Sequence, residues 1–133
     1  MKPVFLDTVG LLALWDRRDQ WHIAASLAFG ELADRDSDLL TTSYILAECA
    51  NAAARKPYRL DVDLLRGKLE AAGMLIIPTE DDWQLAWEGY RQGHATLAGL
   101  VDHLSFAVMR RLGLTEVFTN DRHFLAAGFH PLF

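Results

Sequence analysis

Two apolar segments that each end in an aspartate, Val4-Phe5-Leu6-Asp7 and Val117-Phe118-Thr119-Asn120-Asp121, decide the fold expected for this chain of 133 residues. The uninterrupted apolar side chains of the first segment predict a strand at about 3–7 that is buried on both faces. Further strand-like segments follow at about 39–41, 74–77 and 116–119, and in a final edge strand that contains Pro131. Because helical patterns separate these strands, the sequence predicts an α/β fold with a mainly parallel sheet.

Capping residues and glycines mark the helices between the strands. Ser43 is the expected N-cap of a helix that Pro57 ends, and Thr79 is the expected N-cap of a later helix with Asp82 at its capping-box position. The stretch from Gly93 to Gly99 lacks periodicity and is predicted as a loop. The predicted helices lie at about Thr8–Trp15, 20–35, 44–56, 61–72, 80–92, 101–112 and 123–127.

Length and composition indicate one globular domain over residues 1–133. The chain is 51% hydrophobic and 23% charged, and it has no apolar run of the roughly 18 residues that a membrane span requires. Cys49 is the single cysteine, so no intrachain disulfide is expected, which fits a reducing, cytoplasmic setting without a signal peptide. A formal net charge of −5 argues against a broadly basic nucleic-acid-binding surface.

Four carboxylates lie at positions where charges need an explanation. Asp7 and Asp121 follow predicted strands, where ligands of open α/β sheets bind, and Asp102 opens a predicted helix. Glu48 falls on the apolar stripe of the helix over 44–56 and is expected to be buried. Each has a structural alternative: a turn or N-cap role for the three aspartates, and a salt bridge for Glu48. Asn51, one turn after Glu48, either supports such a site or faces solvent.

The four acids are more informative together than apart. Two like charges about 4 Å apart repel by about 4 kcal/mol at an effective dielectric constant of 20, so a carboxylate cluster requires a cation or protons. Hard oxygen ligands favour Mg²⁺ and Mn²⁺, and such ions assist hydrolysis of phosphodiesters. The sequence therefore predicts a site for one or two divalent ions at Asp7, Glu48, Asp102 and Asp121.

Four segments carry a resemblance to a known family. They are Phe5-Leu6-Asp7-Thr8, Leu46-Ala47-Glu48-Cys49, Gly99-Leu100-Val101-Asp102 and Phe118-Thr119-Asn120-Asp121-Arg122-His123-Phe124. In their order and spacing they resemble the four motifs of the PIN-domain nucleases, and most of all the VapC toxins of bacterial and archaeal toxin–antitoxin pairs. Asn120 departs from those family members that carry a second acid in the fourth motif, and it puts a strongly held second metal ion in doubt.

The resemblance implies a three-layer sandwich in which a parallel five-stranded sheet lies between helices, with strands one and four adjacent. It assigns Asp7, Glu48, Asp102 and Asp121 to the catalytic metal site and Thr8 and Thr119 to supporting hydroxyl positions. It also implies a Mg²⁺- or Mn²⁺-dependent endoribonuclease that cuts tRNA, rRNA or mRNA. In-line attack of a metal-bound water on phosphorus, with the 3′ oxygen as the leaving group, would give a 5′-phosphate and a 3′-hydroxyl. Such toxins are usually homodimers that a cognate antitoxin blocks.

Two other functions remain open at this point. A phosphotransfer domain also places Asp at strand ends, but it needs a lysine late in the fold, and the three lysines are Lys2, Lys56 and Lys68. A catalytically silent PIN-like module would bind RNA or protein without cutting it.

Several aromatic and basic side chains are weaker candidates. The five histidines show no metal-ligand spacing, and Arg122 is a candidate phosphate contact. His103 adjoins Asp102 but is expected at the surface. Trp83 and Trp87 share one helix face, which is a candidate oligomer or antitoxin contact. Five aromatic side chains are candidates for base stacking, and the structural alternative for each is a place in the core or on a dimer face: Trp15, Trp21, Trp83, Trp87 and Phe106.

Overall fold

The structure, a computed structural model, describes residues 2–93 and 97–133. Its sheet has five strands in the order β3-β2-β1-β4-β5, and every neighbouring pair is parallel. The predicted parallel sheet is therefore confirmed, as is the adjacency of the first and fourth strands. The strands are β1 (Val4–Leu6), β2 (Leu39–Thr42), β3 (Leu75–Ile76), β4 (Glu116–Phe118) and β5 (His130–Pro131).

Helices connect the strands and cover the sheet. From β1 the chain adds β2 and β3 toward one edge of the sheet, and it then crosses back to add β4 and β5 toward the other edge. Because crossovers between parallel strands are right-handed, the helices before β3 lie on one face of the sheet and the helices after β3 lie on the other. The helices are α1 (Thr8–Trp15), α2 (His22–Asp34), α3 (Ser43–Ala52), α4 (Arg59–Ala72), α5 (Glu80–Gln92), α6 (Leu100–Leu112) and α7 (Arg122–Ala126). Within the described residues, no helix is long and apolar enough to cross a membrane.

Burial explains why β1 is the centre of the sheet. Val4, Phe5 and Leu6 are completely buried, as are Val117 and Phe118 on the neighbouring β4. A strand covered on both faces has no polar side to turn outward, which is why its sequence is continuous rather than alternating. The carboxyl ends of β1 and β4 therefore meet in the middle of the domain.

The capping predictions were right for α5 and wrong for α3. Thr79 and Asp82 form the predicted capping box at the start of α5. At α3 the N-cap is Thr42 rather than Ser43, because Thr42 keeps the extended backbone of β2 and its hydroxyl accepts a hydrogen bond from the Ile45 N–H at 3.2 Å. The helix also ends at Ala52, four residues before its predicted end, and buried Ala53 begins the turn toward α4.

The predicted loop over 93–99 falls partly outside the described residues, which exclude 94–96 and with them His94. Gly93 ends α5 in the left-handed conformation with φ of 66°, a backbone that glycine adopts without strain. Beyond this connection, Asp82 and Arg111 tie the start of α5 to the end of α6 by a bidentate ion pair with N–O distances of 3.0 and 2.7 Å. This ion pair fixes the helix that begins next to the site described below.

We predict that Gly10→Ala strongly destabilises the protein. A Cβ at Gly10 would overlap the carbonyl oxygen of Phe118 and lie 2.8 Å from its ring, so α1 would have to move away from β4. Overpacking of this kind typically costs about 1–3 kcal/mol in the free energy of unfolding. The matched control is Gly30→Ala in α2, where nothing lies within 4 Å and where alanine should instead stabilise the helix by about 0.5–1 kcal/mol. Urea unfolding measures both, and equal effects of the two substitutions would contradict this packing account.

Candidate metal centre

Asp7 sits at the carboxyl end of β1 and is the most buried of the four acids, with 2% of its surface exposed. It is the N-cap of α1, since its side chain accepts a hydrogen bond from the Val9 N–H at 3.4 Å. The same oxygen, Oδ2, accepts a hydrogen bond from the Thr119 hydroxyl at 2.8 Å. Asp7 therefore has the N-cap role that was its structural alternative. An N-cap does not need to be buried this deeply, so capping alone does not explain its position.

Thr119 joins the two central strands at the site. Its hydroxyl donates to Asp7 and accepts a hydrogen bond from the Asp121 N–H at 3.1 Å. Asp121 is the N-cap of α7, with Oδ1 accepting from the His123 N–H at 2.9 Å. A single buried threonine thus fixes the positions of two carboxylates that are 114 residues apart in the sequence.

Asp102 reaches the site from the first turn of α6. Its Oδ2 accepts a hydrogen bond from the Gly99 N–H at 3.3 Å, which makes Gly99 the N-cap and places Asp102 at the third helical position. The N-cap alternative for Asp102 is therefore wrong. One carboxylate oxygen satisfies the start of the helix, and the acid remains close enough to Asp7 and Asp121 to interact with both electrostatically.

Glu48 is exposed, so the expectation that it is buried is wrong. The buried face of α3 contains Ile45, Leu46 and Cys49, and Glu48 lies at its edge. The side chain is nevertheless held, because the Thr8 hydroxyl donates a hydrogen bond of 2.6 Å to its Oε1. Asn51 is also exposed, and no hydrogen bond among the described residues joins it to this network.

Burial and mutual repulsion raise the pKa of two of these acids. Burial raises the pKa of Asp7 from 3.8 to about 7, and the charges of Asp102 and Asp121 add to the rise against the lowering effect of the Thr119 hydrogen bond. Burial also raises the pKa of Asp102 to about 6, again with a contribution from Asp121. The carboxylates of Asp7, Asp102 and Asp121, which come from three distant segments, are therefore close enough to interact electrostatically.

Arginine and lysine do not neutralise this cluster. Among the described residues, no lysine or arginine forms an ion pair with any of the four acids, so the salt-bridge alternative for Glu48 is wrong. Hard oxygen ligands in this arrangement are the donor set that Mg²⁺ and Mn²⁺ bind. The chemistry of these residues thus suits a divalent ion, and Asp7, Glu48, Asp102 and Asp121 stay its predicted ligands.

His123 was missed by the sequence analysis. Its Nδ1 lies 2.9 Å from Oδ1 of Asp121 and 3.8 Å from Oδ2 of Asp102. Within the described part of the chain, the group whose potential ligand atoms all lie within 4.8 Å of one another is Asp102, Asp121 and His123. The sequence gives no signal for this group, because Asp121 and His123 are only two residues apart at the start of α7. The third member, Asp102, comes from the distant helix α6.

The remaining candidates lie elsewhere. His103 is buried against Gly89 and Phe106, so the expectation of a surface histidine is wrong. Cys49 is buried beside the acids, and burial followed by the charges of Asp7 and Glu48 raises the pKa of its thiol to about 12. Phe106 is a core residue, as the structural alternative expected. Trp21 is exposed, whereas Trp15, Trp83 and Trp87 are half-buried. Trp15 stacks on Tyr58.

Comparison with known proteins agrees with this geometry. The family model of the PIN domain matches residues 4–130. The 23S rRNA-specific endonuclease VapC20 of Mycobacterium tuberculosis is 28% identical over 127 residues, which are 95% of each chain.

Two solved structures share the fold. The crystal structure of Mycobacterium tuberculosis VapC20, a Sarcin-Ricin loop cleaving toxin, has a TM-score of 0.76 at 24% identity and 95% coverage of both chains. The crystal structure of FitAcB from Neisseria gonorrhoeae has a TM-score of 0.62 at 20% identity and covers 98% of this chain and 96% of that one.

We predict that the metal-free protein loses stability as the pH rises. A folded-state pKa that is raised above 3.8 contributes stability fully below about pH 4, and that contribution is lost as the pH rises through about 6 for Asp102 and about 7 for Asp7. For Asp7 the difference corresponds to about 4 kcal/mol in the free energy of unfolding. Asp7→Asn keeps an acceptor for Thr119 without the charge, so at pH 8 in EDTA it should be more stable than the wild type.

The test is urea unfolding at pH 5 and pH 8, in EDTA and in Mn²⁺. Bound Mn²⁺ should stabilise the wild type, by about 2.7 kcal/mol at 100 times its dissociation constant, and should stabilise Asp7→Asn much less. Asp34→Asn at the exposed end of α2 controls for the loss of one negative charge. A difference between wild type and Asp7→Asn that does not change with pH would contradict the electrostatic account.

Proposed function

The chain belongs to the PIN-domain family, and from that premise we propose that it is a Mg²⁺- or Mn²⁺-dependent endoribonuclease, the toxin of a type II toxin–antitoxin pair. The observation that carries the proposal is the meeting of Asp7, Asp102 and Asp121 at the carboxyl edge of the sheet, where no lysine or arginine among the described residues pairs with them. In this proposal residues 1–133 act as one catalytic domain.

We assign the four acids to the catalytic metal site. A divalent ion there would lower the pKa of a water molecule and offset the charge of the substrate phosphate. The chain's own contribution is position: Thr119 and the Val9 N–H hold Asp7, the Gly99 N–H holds Asp102, and the Thr8 hydroxyl holds Glu48. Water attacks phosphorus, the bond to the 3′ oxygen breaks, and that oxygen leaves as a hydroxyl after taking up a proton.

RNA is the proposed substrate, with ribosomal RNA as the first candidate, because the curated relative is named as a 23S rRNA-specific endonuclease. Transfer and messenger RNA are the other classes. We place the activity in the cytoplasm, where these RNAs and an antitoxin would be met.

The cleavage assay uses metal-free protein, to which Mg²⁺ or Mn²⁺ is added, on purified ribosomal RNA, transfer RNA and messenger RNA in parallel. We expect metal-dependent cutting that leaves 5′-phosphate and 3′-hydroxyl ends, because water rather than the 2′-hydroxyl is the nucleophile. Asp7→Asn and Asp102→Asn should reduce the rate by at least about 100-fold, and Thr8→Val by about 10-fold through loss of the Glu48 contact. Asp34→Asn is the matched control.

Three outcomes of this assay separate the alternatives. Products with 2′,3′-cyclic phosphate would rule out the proposed chemistry. RNA binding that persists in EDTA without cutting of any pool would favour the silent PIN-like module. Labelling of Asp7 or Asp121 by acetyl phosphate would favour the phosphotransfer domain, for which the structure offers no lysine paired with either acid among its described residues.

We also propose a homodimer and a cognate antitoxin as partners. A row of aromatic side chains runs from the first turn of α3 along α5: Tyr44 contacts Trp83, Trp83 contacts Trp87, and Trp87 contacts Tyr90, with ring centroids 5.4–6.0 Å apart. Tyr44 and Tyr90 are 39% and 50% exposed, and large half-exposed aromatics of this kind are enriched in interfaces. A second copy of the chain is the occupant that we assign to this row.

We predict that Tyr90→Glu lowers the mass of the protein in solution from dimer to monomer, because a carboxylate would be desolvated in the aromatic interface. Light scattering on a size-exclusion column measures the mass. Leu27→Glu on α2, at a leucine that is 68% exposed and far along the chain from the row, is the matched control and should leave the dimer intact. A monomeric wild type, or a dimer unaffected by Tyr90→Glu, would overturn this assignment.

A further inference from the structure

We propose that the imidazole of His123 is a direct ligand of the metal ion, and that this nitrogen makes the site select Mn²⁺ over Mg²⁺. The inference rests on the proposed metal site, but it concerns which ion the site holds rather than whether RNA is cut. It is carried by the position of one ring nitrogen between two carboxylates.

The distances fit neighbouring ligands of one ion. An octahedral ion with ligands at about 2.1 Å sets adjacent ligand atoms about 3 Å apart and opposite ones about 4 Å apart. His123 Nδ1 lies 2.9 Å from Asp121 Oδ1 and 3.8 Å from Asp102 Oδ2. Both values fall in this range, so a single ion can contact all three residues without a large movement of the side chains.

The short contact between His123 and Asp121 is not an aligned hydrogen bond. Nδ1 is a buried atom that has no hydrogen-bond partner among the described residues, despite its 2.9 Å separation from the carboxylate oxygen. The Asp121 oxygen already accepts from the His123 backbone N–H. The His123 nitrogen and the Asp121 oxygen thus lie close together without forming a hydrogen bond. Neighbouring ligand atoms around a common metal ion have the same arrangement.

The local backbone holds this arrangement in place. Asp121 is the N-cap of α7 and His123 lies in its first turn, so one helix start delivers both ligands. The other end of the arrangement is Asp102, which its hydrogen bond to the Gly99 N–H holds in the first turn of α6. His123, like Asp102 and Asp121, is therefore positioned by the start of a helix.

A nitrogen ligand changes which ion is preferred. Mg²⁺ favours oxygen ligands and keeps much of its water, whereas imidazole suits later divalent ions of the first transition row. Mn²⁺ accepts carboxylates and lies closer to those ions in this respect. Replacing one carboxylate or water by His123 therefore raises the affinity for Mn²⁺ more than that for Mg²⁺.

The test is metal binding to the full chain without RNA. Calorimetry gives the affinities of Mn²⁺ and Mg²⁺ separately, and pulsed electron paramagnetic resonance of bound Mn²⁺ detects a coordinated ¹⁴N nucleus. The variants are His123→Leu, which removes the ligand, and His123→Gln, which offers an oxygen instead. His130→Gln, at an exposed histidine on β5, is the matched control.

We expect a ¹⁴N coupling in the wild type and in His130→Gln that is lost in both His123 variants. Mn²⁺ affinity should fall by about 10- to 100-fold in His123→Leu, with a smaller loss for Mg²⁺. His123→Gln should bring the two affinities together and covers the case in which His123→Leu does not fold. Absence of ¹⁴N coupling in the wild type with Mn²⁺ bound would overturn the ligand assignment.

Together with the cleavage assay, these results separate failure of this inference from failure of the proposed function. Absence of any binding of Mn²⁺ to the wild type would overturn both the metal site and this inference. RNA cleavage that depends on Asp7 together with Mn²⁺ lacking a nitrogen ligand would leave the nuclease standing and overturn the inference alone.

Discussion

The structure depends on the meeting of like charges at the carboxyl ends of β1 and β4. Asp7 is buried between the two central strands, and Asp102 and Asp121 approach it from helix starts on either side. A buried carboxylate beside two others opposes folding unless protons or a cation reduce the charge. The hydrogen bonds from Thr119 and from the backbone N–H groups position the acids but do not neutralise them. The fold thus holds three carboxylates close together, and a bound divalent ion would offset their charge.

The central part of this arrangement could be predicted from the sequence. Val4-Phe5-Leu6 has no polar position, so it had to be a strand covered on both faces, and the aspartate after it had to lie at the sheet edge. The same reasoning applied to Val117-Phe118. Once the two strands are neighbours, the parallel register Leu6–Phe118 brings Asp7 and Thr119 together. Here local pattern and overall topology agree, and the prediction follows from that agreement.

Other features depended on tertiary geometry that a pattern does not contain. The helical spacing of Ile45, Glu48 and Cys49 suggested one buried face, but α3 packs through Ile45, Leu46 and Cys49 and leaves Glu48 at the edge. The cap of α6 lies at Gly99 because the backbone turns three residues before Asp102. The place of His123 is set by the direct contact of α6 and α7, two helices that lie on the same face of the sheet. In each case a side chain's environment was decided by an element distant in sequence.

The most direct test of the central claim is an anomalous diffraction map from crystals of the protein soaked in Mn²⁺. The account predicts a strong peak within ligand distance of Asp102 and Asp121 and beside Asp7, at the carboxyl edge of β1 and β4. The same soak of Asp7→Asn crystals should give a weaker peak at that position. A Mn²⁺ peak elsewhere, with the acidic cluster unliganded, would contradict the claim that these carboxylates converge to hold a metal ion.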